Sequence, residues 1–189
     1  MFHHMLCLLV IFAFLLASHQ STQKTVSQDG LVLQTDQSDY IAKYEKTVYG
    51  VRLYEFTLVA RFENGAKDPV YLDRCYPDTP YPLYGIYAIE GGEVKESAYQ
   101  RAWSCVGHDK PIVVQPGEIR TDKLRILGPG SWRSDNGTYT GSLEGNVRLV
   151  YNVRFCPEQP IFDVSGSAPK CKRPATYMQS DIFTVKLEK

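Results

Sequence analysis

Charge of one sign is the first thing this 189-residue sequence lacks, because 21 Lys and Arg are matched by 21 Asp and Glu. A balanced chain raises no field strong enough to gather nucleic acid or anionic lipid, so neither is expected as a partner. Ligand spacing for metal is missing too. No CxxC pair occurs, and beyond the N-terminus only His19 and His108 remain, so no metal or cofactor is expected. The GxSxG nucleophile turn is absent. No segment after the N-terminus keeps a 3.6-residue apolar period for long, which argues against helices. The apolar run at the N-terminus, Met5 to Ala17, falls short of the ~20 residues that span a bilayer, so no stable membrane insertion is expected.

That run is what the sequence does have at its start. It lies in a stretch free of Lys, Arg, Asp and Glu and ends at the small pair Ala17 and Ser18. Residues 1–18 therefore read as a secretory signal peptide, although the leading MFHHM carries no basic side chain. Export to a periplasmic or secreted location is the expectation. His3, His4 and Cys7 would leave with the peptide, so of 5 cysteines Cys75, Cys105, Cys156 and Cys171 would remain. An even number in an exported chain points to two structural disulfides. Four cysteines allow three pairings and the spacing does not choose among them. Sequential pairing, Cys75 with Cys105 and Cys156 with Cys171, is preferred here because each bond closes a self-contained loop, worth roughly 3–4 kcal/mol in the chain-entropy model.

Two-residue alternation recurs along the rest of the chain. From Val51 to Phe62, Tyr54, Phe56, Leu58, Ala60 and Phe62 share one face, and Asn64-Gly65 ends the run as a turn. Val147, Leu149, Tyr151, Val153 and Phe155 form a second such face, expected as a half-buried antiparallel strand. Shorter strands are expected at 70–72, 83–89, 112–114, 120–127 and 182–187, with one or two more within 31–33 and 40–44. The fold class is accordingly all-β, an antiparallel β-sandwich of immunoglobulin-like type. Residues 19–44 are expected as an N-terminal arm or edge strands, and 45–189 as the sandwich, with a long connection over 157–180.

Several motifs invite a chemical reading and most have a plainer one. Ser104, His108 and Asp109 sit on one loop, where a relay that draws on separate elements is hard to build. Asp73, Asp78, Glu90, Glu93 and Glu96 fall in one region and could supply paired carboxylates, but acidic residues near turns are usually solvated surface. Asp135 to Glu144 lacks the alternating ligands of a calcium loop. Asn136-Gly137-Thr138 is a glycosylation sequon or simply an exposed turn. The most functional-looking patch is Tyr76, Tyr81, Tyr84 and Tyr87 among Pro77, Pro80 and Pro82, since tyrosines on a stiff loop offer contact area at low entropic cost. The plainer reading puts Tyr84 and Tyr87 in the next strand. Trp103 is expected against a disulfide, and Trp132 either packed or exposed. The candidate contact residues are Tyr76, Tyr81, Tyr84 and Trp132.

The ordered set Asn64-Gly65, Pro69-Val70-Tyr71-Leu72 before Cys75, Trp103 and Cys105, Pro116-Gly117-Glu118, then Val147 to Tyr151 resembles uncharacterised exported bacterial proteins with an immunoglobulin-like β-sandwich domain. The resemblance covers about Val51 to Val153. It implies Cys75–Cys105 pairing and a sandwich, and no catalytic residue. The longer insert between Leu127 and Asn146 and the pair Cys156 and Cys171 depart from it. Together these features lead to the expectation of a non-catalytic exported binding or structural module whose partner is a protein or glycan of the envelope or extracellular space. The alternative is a secreted protease inhibitor presenting the Tyr/Pro loop and Gly128 to Gly130.

Overall fold

The computed structural model describes residues 29–74, 79–90, 93–95, 110–129, 132–133, 140–157, 171 and 173–189. Among these the chain is all-β and contains no helix. The expected signal peptide, Cys75, Cys105, Trp103, the 104–109 loop and Asn136 lie outside the described residues.

The strands are β1 (Leu31–Thr35), β2 (Asp39–Val48), β3 (Val51–Asn64), β4 (Val70–Leu72), β5 (Tyr84–Glu90), β6 (Glu93–Lys95), β7 (Ile112–Val114), β8 (Ile119–Pro129), β9 (Trp132–Arg133), β10 (Thr140–Gly141), β11 (Gly145–Arg154), β12 (Thr176–Gln179) and β13 (Phe183–Leu187). Eleven of them join in one sheet, and β9 and β10 pair apart from it. β3 is the spine of one flank. β8 runs along one side of it from Glu63↔Ile119 to Leu53↔Pro129, while β1 and the far half of β2 share the other side. β11 is the spine of the second flank, with β13 and β12 on one side and β5 and β4 on the other.

The expectation of a wholly antiparallel arrangement is corrected at one place. Asp39–Ala42 of β2 pairs in parallel with Thr184–Leu187 of β13, so the sheet is mixed. The physical reason lies between β1 and β2. Asp36 keeps the chain on β3 by accepting hydrogen bonds at Oδ1 from the Tyr40 hydroxyl, 2.7 Å, and the Val59 amide, 2.8 Å. The next residues swing out far enough to reach β13, and β2 returns to β3 at Lys43↔Glu55. One strand thus serves two flanks, and what was expected as two sheets is one curled sheet.

The curl closes on the alternating apolar face. Tyr54, Phe56, Leu58, Ala60 and Phe62 are all buried, as are Val147, Leu149, Tyr151 and Val153. Phe62 meets Tyr151 across the interior with ring centroids 6.2 Å apart, and Tyr40, Phe56 and Phe183 form a second aromatic cluster with centroids 5.0–6.3 Å apart. Truncating a fully buried ring such as Phe62 to Ala is expected to cost ~3–5 kcal/mol.

Three further expectations shift. Leu31, Leu33, Tyr40 and Ala42 belong to the core, and β2 runs through the expected boundary after residue 44, so the described part of the front segment, 29–44, is built into the sheet as strands, with β1 at one end of the strand order. β12 lies inside the expected 157–180 connection, paired with Val150–Val153. β11 is buried on more than its inward face, since Val150 and Arg154 are also covered, Arg154 in an ion pair with Asp73.

Asn64 ties the end of β3 to its surroundings. Fully buried, its Nδ2 donates to the carbonyls of Asp68, 3.0 Å, and Val114, 2.9 Å, while its Oδ1 accepts from the Ala66 amide, 3.0 Å. Its backbone carbonyl accepts from Gly117 N at 2.6 Å. Gly117 takes φ 77° after Pro116, the positive angle that a type II turn demands at that position, so Asn64-Gly65 and Pro116-Gly117-Glu118 meet in space.

Candidate functional site

Of the expected contact residues, Tyr81 and Tyr84 have side chains among those described. Tyr84 is 5% exposed, and its hydroxyl reaches across the interior to donate to the Arg125 carbonyl at 3.1 Å. Tyr81 packs against the core beside it, with centroids 6.0 Å apart. Tyr84 is therefore a structural ring, removed from any contact face by its own hydrogen bond. Tyr76 lies outside the described residues, and Trp132 opens β9 opposite Gly141. Gly128 and Pro129 belong to β8 and pair with Tyr54 and Leu53 rather than forming a loop.

The disulfide between Cys156 and Cys171 is present, joining the end of β11 to the approach to β12. Two buried acids are spent on structure. Asp73 accepts Arg154 Nη2 at 2.6 Å and Asn152 Nδ2 at 2.8 Å. Asp122 is held by Arg120 through two hydrogen bonds, 2.5 and 3.0 Å, and takes the Tyr151 hydroxyl at 3.3 Å. Arg120 also donates to the Pro80 carbonyl, which pins the Tyr/Pro loop to β8. Burial first, then the Asp122 charge, pushes the Tyr151 hydroxyl well above the usual phenol range. Among the described residues no three His, Cys, Asp or Glu side chains come together as ligands for an ion.

Exposed aromatic and cationic groups do gather on the β2–β3 hairpin. Val48 pairs with Val51, so Tyr49 and Gly50 form a two-residue turn with φ 48° and 77°. Both signs match a type I′ hairpin, whose twist suits the strands. Gly accepts that angle freely, but a tyrosine there costs roughly 1–2 kcal/mol against an unstrained backbone. Tyr49 is nevertheless fully exposed, touching nothing that would repay the strain.

Below the tip, Tyr44 lies opposite Tyr54 and Thr47 opposite Arg52, so these four side chains share the face that lower down turns toward the core. There the core has ended: Tyr44 is 48% exposed while Tyr54 remains buried. The Arg52 guanidinium carbon sits 5.1 Å from the Tyr44 centroid and 5.7 Å from that of Tyr54, a cation–π arrangement with both rings. Tyr44 and Tyr54 meet edge to face at 6.1 Å, and the Tyr44 hydroxyl shares a 3.1 Å hydrogen bond with Thr47 Oγ1. The base of the hairpin is braced elsewhere. Arg125 on β8 binds Glu55, and its Nη2 reaches Glu45 at 3.2 Å. Glu55 first, and then Glu45, raise the Arg125 guanidinium further above its usual value. Glu45 is the extra residue where the β2–β3 register shifts between Tyr44 and Lys46.

The hairpin was missed in the sequence because its turn is Tyr-Gly rather than the usual Asn-Gly or Asp-Gly. Two residues between the alternating runs ending at Val48 and beginning at Val51 were the available signal.

An all-β protein built on a curled mixed sheet, with an aromatic and cationic hairpin standing beyond its core, is the class that this geometry defines. No protein-family model matches the chain and no curated protein matches it in sequence.

Proposed function

We propose that this protein is a non-catalytic, exported binding module that presents the β2–β3 hairpin to a protein or glycan partner. The observation that carries the reading is Tyr49: a fully exposed aromatic held at a left-handed backbone angle that Asn or Gly would adopt at lower cost. Strain of this kind, kept without packing in return, suits a residue retained for contact. Tyr44, Val48 and Arg52 beside it extend the same exposed surface. Export is supported by the apolar run Met5 to Ala17 and by the Cys156–Cys171 bond, which an oxidising compartment favours. The immunoglobulin-like sandwich belongs to the same proposal, and the packing of Phe62 on Tyr151 across two flanks supports it. The protease-inhibitor reading would have to present surfaces other than the buried Tyr84 and the strand residues Gly128 and Pro129.

The test is a quantitative pull-down from native envelope extract with the chain beginning at His19, comparing wild type with Tyr49→Asn. A partner held by wild type and lost by a variant of equal or higher melting temperature is the expected result. Equal retention by both would overturn the hairpin reading. Inhibition in a parallel panel of secreted proteases would favour the alternative.

A further inference from the structure

Resting on the hairpin reading above, we infer that the ligand is an extended acidic peptide segment, added as a strand to the open edge of β2 with a carboxylate bound by Arg52.

Two independent features meet here. The first is an edge. β2 lies between β3 and β13, but β13 covers it only along Asp39–Ala42, with Glu188 N donating to the Ala42 carbonyl as the last bond. Along Lys43–Val48 the same edge carries no strand among the described residues. Six residues at ~3.3 Å each make about 20 Å of unpaired backbone donors and acceptors, enough to template a short strand. Peptides recognised in this way gain affinity from main-chain hydrogen bonds and specificity from alternate side chains.

The second feature is a cation with its hydrogen-bonding capacity unspent. Among the described residues the Arg52 guanidinium contacts only the faces of Tyr44 and Tyr54 and makes no hydrogen bond or ion pair. Two rings hold the guanidinium, and its N–H groups, unused among the described residues, can take a carboxylate by two parallel bonds. The nearby carboxylates Glu45 and Glu55 are engaged by Arg125 instead. A residue of the added strand that shares the face of Tyr44 and Thr47 would lie within reach of Arg52.

Charge decides which occupant fits. Lys43 and Lys46 are exposed and make no ion pair among the described residues, so this edge presents three unneutralised cations on a chain that is neutral as a whole. A second copy added along the same edge would set lysine against lysine, which disfavours self-pairing. An acidic strand meets all three with opposite charge. An acidic glycan would satisfy Arg52 but leave the backbone groups of β2 unpaired, so the peptide is favoured.

The test uses terminally blocked six-residue peptides of Thr and Val with one central Glu, Gln or Lys, titrated against the purified chain beginning at His19. A uronic-acid oligosaccharide serves as a separate arm. The Glu peptide is expected to bind about ten-fold more tightly than the Gln peptide, and the Lys peptide more weakly than either. Arg52→Gln should cut the preference for Glu over Gln to the small part that Lys43 and Lys46 supply, and Arg52→Lys should restore less than half of the loss, because a lysine keeps the charge without the planar fork. Equal affinity for the Glu and Gln peptides overturns the carboxylate assignment, and no measurable binding of the Glu peptide overturns the inference entirely. Binding of the oligosaccharide in place of the peptides overturns strand addition. Each of those outcomes leaves the Tyr49→Asn pull-down to judge the hairpin itself.

Discussion

Asp73 and Arg154 face each other across the β4–β11 pairing at 2.6 Å, with side chains only 1% and 9% exposed. The pair sits where β11 ends and the chain turns toward Cys156, and Arg154 also donates to the Pro157 carbonyl at 3.2 Å. A buried ion pair contributes little net stability over apolar residues of the same shape, but removing one partner strands the other in a medium that solvates charge poorly.

From this relationship, Asp73→Leu and Arg154→Leu should each destabilise the protein by ~3–5 kcal/mol in urea unfolding. The double variant should lose less than the sum, since no charge is then left unpaired. Additive losses in the double-mutant cycle would show that the two side chains act separately.

Alkaline stability should turn on two buried tyrosines. Burial, then Asp36, raises the Tyr40 hydroxyl, and burial, then Asp122, raises that of Tyr151. Both are neutral in the folded chain at a pH where the unfolded chain, near its ordinary value of about 10, has begun to ionise. Their contribution is thus complete below about pH 10 and drains away as pH climbs toward the higher folded value. Denaturant midpoints measured from about pH 8 to about pH 11 should fall more steeply for wild type than for Tyr151→Phe. Parallel curves would mean that Tyr151 does not carry the effect.

Asp36 predicts the opposite limb. Burial works to raise its carboxyl, but the hydrogen bonds from Tyr40, the Val59 amide and Gln37 outweigh it and hold the group below its usual range. Its stabilisation is present above about pH 4, the unfolded value, and is lost as pH falls through the lower folded one. Asp36→Asn should flatten the acid limb of the stability profile; an unchanged limb would locate acid sensitivity elsewhere.

Relief of the turn strain gives a prediction of gain. Tyr49→Asn should stabilise the hairpin by ~1 kcal/mol, because Asn tolerates the left-handed angle that tyrosine resists. A lower melting temperature for the variant would show that Tyr49 packs against something in solution.

For the disulfide, Cys156→Ser should cost ~3 kcal/mol for a loop closed over a sequence separation of 15, with the Cys156→Ser/Cys171→Ser double variant no worse than either single one. A double variant clearly worse than both would indicate that each sulfur has some other role.

Legibility in the sequence followed the range of the forces involved. The inward faces of β3 and β11 could be read because alternation is local: each side chain's direction is set by its own backbone. Asn64-Gly65 and Pro116-Gly117 were readable as turns for the same reason. That the two turns join through the Asn64 side chain was not, since residues 64 and 114 are brought together only by the β4–β7 and β3–β8 pairings. β12 was hidden because a four-residue strand, exposed at Tyr177, owes its pairing to β11 rather than to its own pattern. Tyr84 looked like a contact residue from its neighbours Pro80 and Pro82, and its burial depends on β8 crossing above it.

Taken alone, the order of residues determined that this chain would be strands, where the long ones run, and which of their faces turn inward, because steric alternation and the cost of wetting apolar surface act within a few residues. Only the folded arrangement decided that β2 would serve two flanks, that Asp73 would find Arg154, and that Arg52 would stand between two rings beyond the core. Each of those depends on residues distant in the chain, and no short-range preference encodes such a meeting.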